Sequence, residues 1–241
     1  MHPYIPRLKN KSTPYFAFAA LALCAVLPSA HAATLAEYLF DSGSALSTDT
    51  DVNSVAGSFT VSSAFGASGG IGAATGSAFT LASVTPASES LAVSGNSYFS
   101  FTLTPTSGYV INPSILTFST VFNGTDGAAA VSANYFVRSS LDGFSANIGS
   151  TFTENYQTGS VFTLQTVDLS GGAYQSIVGT VEFRIYVYDS SAANGRYVRV
   201  DNVTLTGAAT SAIPEPVTAS LMLGGLALLG VFAARIPRRI R

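Results

Sequence analysis

Short runs in which apolar and polar residues alternate recur through the middle of the chain, separated by clusters of Gly, Ser, Asn, Asp and Pro. Period-two alternation belongs to a β-strand, whose successive side chains point to opposite faces. The clearest run is Thr180 to Tyr188. Val181, Phe183, Ile185 and Val187 share one phase there, and Glu182, Arg184, Tyr186 and Tyr188 the other. Phe99, Phe101 and Leu103 alternate with Ser100, Thr102 and Thr104 in the same manner. The pattern predicts strands near 35–40, 58–63, 79–84, 98–104, 114–122, 133–139, 161–169, 180–188 and 197–205, with no helical pattern of ten residues between them. Within the last run the apolar phase switches between Val198/Val200 and Val203/Leu205, which calls for a bulge near Asp201 and Asn202. The Gly66 to Gly76 stretch reads as a loop, because glycines lose the most backbone entropy inside an element. The chain is thus expected to be all-β, an antiparallel sandwich.

Two segments break this pattern. In 1–32, Arg7, Lys9 and Lys11 precede an apolar stretch from Tyr15 to Leu27, and Ala30-His31-Ala32 supplies a small-x-small site. That is the layout of a secretory signal peptide read by the Sec translocon and signal peptidase, with cleavage after Ala32. At the other side, Thr218 to Ala234 holds no charged residue and is followed by Arg235, Arg238, Arg239 and Arg241. As a helix these residues reach about 25 Å, slightly under the roughly 30 Å hydrocarbon core of a bilayer. A short transmembrane helix with a basic stop-transfer tail is expected, the arginines cytoplasmic and everything upstream outside. The domain plan is therefore signal peptide 1–32, sandwich 33–207, linker 208–213 and C-terminal signal 214–241, the latter with its helix at 218–234 and its tail at 235–241.

Pro214-Glu215-Pro216, the apolar run with Gly224, Gly225 and Gly230, and the terminal arginines together resemble a PEP-CTERM sorting signal. The resemblance implies recognition by an exosortase at the inner membrane, processing near the tripeptide, and delivery to the cell envelope, surface or extracellular matrix of a bacterium that exports polysaccharide. Ile236-Pro237 interrupting the arginine cluster departs slightly from that pattern. The phrases FVRSSLDGF (136–144), VEFRIYVY (181–188) and RVDNVTLTG (199–207) resemble the ectodomains joined to this signal, which implies a jelly-roll-like sandwich of the carbohydrate-binding kind and assigns no ligand.

Removal of 1–32 changes the available chemistry. Both histidines, both lysines and the only cysteine lie there. Residues 33–212 keep twelve carboxylates against Arg138, Arg184, Arg196 and Arg199, a net charge of −8. That balance disfavours nucleic acid, whose binding rests on neutralising phosphates. Without His or Cys, triad-type nucleophilic catalysis and transition-metal sites lose their usual residues. No catalytic residue and no cofactor is assigned. Calcium, a hard cation taking oxygen ligands, remains available, with Asp41 and Asp201 as candidate ligands between the first and last strands. Glu182, on the wet side of its strand beside Arg184, is the carboxylate most easily placed in a glycan-hydrolysing cleft, and an ion pair with the arginine competes with that reading.

Arg184, Tyr186, Tyr188, Tyr197 and Arg199 are candidate glycan-binding residues if their strands adjoin. Against this stands a sheet face covered by a loop, or one merely carrying residues of high β-propensity. The main expectation is an exported, non-enzymatic surface or matrix protein associated with exopolysaccharide. A specific carbohydrate-binding module is the alternative, and a carboxylate-dependent hydrolase comes third. If the sorting signal is processed, mass spectrometry of surface material should find the protein without its Arg241 terminus. An intact terminus there removes the processing step.

Overall fold

The structure, a computed structural model, describes residues 32–212 apart from 42, 63–68, 72–77, 83–85, 125–130 and 190–195. Twelve strands appear among them: β1 (Ala33–Tyr38), β2 (Ser54–Ala56), β3 (Thr60–Val61), β4 (Gly69–Ile71), β5 (Phe79–Ala82), β6 (Tyr98–Pro105), β7 (Tyr109–Gly124), β8 (Ser132–Ser139), β9 (Ile148–Asn155), β10 (Thr163–Asp168), β11 (Val181–Asp189) and β12 (Arg196–Ser211). One short helix, α1 (Glu89–Ser94), precedes β6, and the Ser88 hydroxyl caps it by accepting from the Leu91 amide.

All strand pairs are antiparallel, and they form two six-stranded sheets. The first runs β10-β7-β12-β5-β4, with β1 beside β5 along the same edge of β12. The second runs β2-β6-β11-β8-β9, with β3 also on β6. The apolar phases of both sheets face each other. Phe99, Phe101, Phe183, Ile185 and Val187 come from one side, and Leu116, Phe118, Phe122, Val198, Val200 and Leu205 from the other, all buried. Tyr38, Phe40, Phe59 and Phe101 form an aromatic cluster at 5.2 to 6.3 Å, tied to the backbone where the Tyr38 hydroxyl donates to the Gly57 carbonyl at 2.5 Å. Gly207 is required where β12 crosses β7, since a Cβ there would come within 2.8 Å of Pro113 Cα.

The pairing of β12 with β7 shifts register between Asp201 and Thr204, and Asn202 has φ of 49°, so the expected bulge sits where the phase switches. Other expectations need correction. Residues 208–211 are strand rather than linker: β12 runs through Ser211 because β7 offers Tyr109 to Asn112 as a ladder, and the Ala212 amide closes it on the Gly108 carbonyl at 2.8 Å. The glycine-rich stretch contains β4, paired with β5. Of the predicted strand at 58–63, only Thr60–Val61 (β3) is strand among the described residues, and β2 (Ser54–Ala56) precedes the predicted range. Strand β9 escaped the pattern because its inward positions include Glu154 where an apolar residue would mark the phase. Among the described residues no helix is long and apolar enough to cross a membrane. Most of the signal peptide, including Ala30, and the whole C-terminal signal, with Pro214, Glu215, Pro216, Arg235, Arg238, Arg239 and Arg241, lie outside the described residues.

Phe101 stacks on Phe183 at 5.5 Å and is 1% exposed. Phe101→Ala is expected to lower stability by about 3 to 5 kcal/mol through lost transfer energy and the cavity left behind, measured by urea unfolding of the isolated sandwich.

Candidate functional site

Strand β11 is central in its sheet, so its polar phase is displayed between β6 and β8. Cross-strand register sets Arg184 between Ser100 and Arg138, and Tyr186 between Tyr98 and Phe136. Arg184 reaches back along its own strand to Glu182 with two bonds, Nε to Oε1 at 2.8 Å and Nη2 to Oε2 at 3.2 Å. Its guanidinium lies 3.6 Å from the Phe144 ring centroid and 4.2 Å from that of Tyr98, so it is held between two aromatic rings. Burial alone would push the Arg184 pKa down, but hydrogen bonds to Glu182 and Tyr186 outweigh it and leave it raised.

Arg138, one strand over, is equally committed. Its Nε donates to Asn147 Oδ1 at 2.7 Å, Nη1 to the Phe144 carbonyl at 2.8 Å and Nη2 to Glu89 Oε1 at 3.0 Å, while Asn147 Nδ2 donates to the same carboxylate oxygen at 2.9 Å. Glu89 is the first residue of α1, so this network pins the helix to the sheet face. Beside it opens a cleft of about 620 Å³ lined by Ser88, Glu89, Ser90, Val93, Ser94 and Arg138.

Two parts of the sequence-based site are corrected by this arrangement. Tyr197 and Arg199 lie on β12, in the other sheet, so they do not join Arg184, Tyr186 and Tyr188 in one patch. Tyr186 is 1% exposed, stacked on Phe136 at 5.0 Å and clustered with Ala92 and Val93 of α1, so it supports the face rather than displaying a ring. A helix, not a loop, covers that part of the face. The residues that sequence reasoning missed are Arg138, Phe144, Asn147, Glu89 and Tyr98. The phrase FVRSSLDGF already contains Arg138 and Phe144, but nothing in the local pattern shows that they meet Glu89, far away in sequence.

Glu182, weighed for hydrolysis, gives both carboxylate oxygens to Arg184. Asp201 and Asp41 are brought close enough to interact: burial first, and then the Asp41 charge, push the Asp201 carboxyl up, against the hydrogen bond it accepts from the Asn202 amide. Among the described residues no group of three or more His, Cys, Asp or Glu side chains gathers as a metal site. On the opposite sheet Arg199 donates to Ser160 Oγ at 3.3 Å and lies 5.8 Å from the Tyr197 ring. Ala32, before the expected cleavage point, is exposed and immediately precedes β1.

No protein-family model matches this chain, and no curated protein matches it in sequence. Solved structures do align with it. A carbohydrate-binding module that recognises mannan aligns at 13% identity and TM-score 0.42, covering 74% of this chain and 99% of the other. A carbohydrate-binding module specific for non-crystalline cellulose aligns at 14% identity and TM-score 0.40, covering 62% and 88%. A cleaved adhesin domain of the Lys-gingipain of Porphyromonas gingivalis aligns at 15% identity and TM-score 0.40, covering 73% and 99%. None of these likenesses transfers a binding residue to this chain.

One buried acid lies away from the face. Glu154 is 6% exposed; its Oε1 accepts from Thr163 at 3.2 Å, and its Oε2 has no partner. Burial pushes its pKa up, against hydrogen bonds that favour the charge. Below the unfolded-state value near 4.3 the carboxyl is protonated in both states, so it carries no ionisation penalty. As pH rises through the folded-state pKa, the folded protein must bury an ionised carboxylate and stability is lost. Glu154→Gln is therefore expected to raise Tm at pH 7, with the gain shrinking toward zero near pH 4, by scanning calorimetry.

Proposed function

We propose that this protein is an exported, non-catalytic glycan-binding module displayed at the cell envelope. The observation that carries the reading is the Tyr98–Arg184–Phe144 stack beside the Arg138–Glu89–Asn147 network on one sheet face. Fixed planar donors and acceptors next to half-exposed aromatic rings suit a ligand with ring hydroxyls above and C–H groups below. Because each guanidinium is already neutralised by its own carboxylate, and the ectodomain carries −8 overall, the face fits a neutral glycan better than a uronic acid polymer.

Export through the Sec translocon, anchoring by the apolar run in the inner membrane, and sorting by an exosortase toward exopolysaccharide complete the proposal, supported by the residues of the two terminal signals. Non-catalytic action is supported by the absence of His and Cys from residues 33–212 and by the pairing of Glu89 and Glu182.

Affinity electrophoresis of the sandwich through gels of neutral polysaccharides, with and without calcium, is expected to show retardation by at least one of them. Arg138→Lys keeps the charge but loses the fork that meets Asn147, Phe144 and Glu89 at once, and should weaken binding about tenfold, equivalent to ~1.4 kcal/mol. Free migration in every gel would overturn the proposal.

A further inference from the structure

The last described strand, β12, ends at one pole of the sandwich. Strand β12 ends at Ser211 opposite Tyr109, with the Ala212 amide bonded to Gly108. Ala33, the first residue expected after cleavage, pairs with Gly207 on the same stretch of β12. The turn at 106–108 is joined to the 51–53 segment, since the Thr106 amide donates to the Asn53 carbonyl at 2.9 Å. It is joined to the 172–180 segment by the Ile111–Ile177 bridge and by the Thr104–Thr180 hydroxyl contact at 2.8 Å.

Four of the nine exposed large apolar side chains among the described residues lie in or beside these segments, including the two most exposed. Val52 is 82% exposed, Val178 78%, Val55 60% and Leu141 42%. Val55 lies opposite Thr104, and Leu141 and Val178 line one shallow cleft. None of the four ectodomain arginines falls in these segments. Two acids beside them cap turns: Asp51 accepts from the Asn53 amide at 2.7 Å, and Asp142 from the Ser145 and Ala146 amides at 3.3 and 3.0 Å.

The tether to the apolar run is short. Thr218 lies six residues beyond Ala212, a span of at most about 20 Å fully extended. A sandwich whose strand β12 alone runs roughly 50 Å cannot stand far from the bilayer on such a leash. Exposed valines at the point of exit then meet the headgroup layer, where burying apolar area is favourable by about 25 cal/mol per Å².

We infer that this pole docks on the outer surface of the lipid bilayer, with Val52 and Val178 entering the interfacial layer. The inference rests on the proposed membrane anchoring of Thr218 to Ala234. It orients the molecule: α1 and its cleft flank the start of β6 and the end of β11, as the Asp189 amide bond to the Pro86 carbonyl shows, so they sit in the half directed away from the membrane.

The test uses residues 33–241, the form expected after signal-peptide cleavage and free of native cysteine, reconstituted in vesicles of phosphatidylethanolamine and phosphatidylglycerol containing a phospholipid spin-labelled near the headgroup. A fluorophore is attached at Val178→Cys or, as a distant control, at Asn155→Cys, which is exposed at the far end of β9. Severalfold stronger quenching at position 178 than at 155 is the expected result. Equal quenching in protein that stays with the vesicles after a carbonate wash overturns the docking while leaving the anchor intact. Protein that washes off the vesicles overturns the anchor, and the docking with it.

Discussion

The pairing of β7 with β12 is the constraint on which the rest of the structure depends. Fourteen residues of β12 find partners on β7, from Arg196 opposite Gly124 to Ser211 opposite Tyr109. The opposite edge of β12 holds both β1 and β5, so one strand joins elements from the beginning, middle and end of the domain. Residues 33–212 contain no cysteine, so no disulfide supports this long-range pairing. Burial of the aromatic layer between the sheets has to offset the loop-closure entropy instead, which explains why Tyr38, Phe40, Phe59, Phe99, Phe101 and Phe183 interlock there.

The second sheet turns the same packing logic outward. Phe136 and Tyr186 belong to the wet phase of their strands, yet they are buried because α1 lies across them with Ala92 and Val93. The helix has only six residues and would not form alone, so its position comes from this aromatic floor and from the Glu89–Arg138 pair, whose arginine is largely buried. Pairs of this kind add modest stability, because the Coulomb gain is set against desolvation of both partners. Their larger effect here is geometric. They fix the guanidinium planes and leave the face without unbalanced charge, a condition that favours hydroxyl recognition over ion binding.

Opposite poles of one sandwich thus have different chemistry. Exposed valines stand near the end of β12, whereas arginines and carboxylates are drawn into pairs on the sheet face and at the other end of β11, where Asp189 meets Arg196 at 3.3 Å out of water.

The sequence by itself determined the strand-rich class, the inward phase of β6 and β11, and the bulge at Asp201–Asn202, because period-two alternation is a local property and a one-residue slip would expose the apolar set. It also determined which reactive side chains residues 33–212 lack. Only the tertiary structure decided which strands became neighbours. That choice separated Tyr197 and Arg199 from Arg184, buried Tyr186, recruited Glu89 and Asn147 to Arg138, and extended β12 through the strand-poor residues Ala208 to Ser211. The reason is physical: side-chain phase is fixed by each residue's own backbone, whereas sheet order and the covering of a face are settled by contacts between segments far apart along the chain.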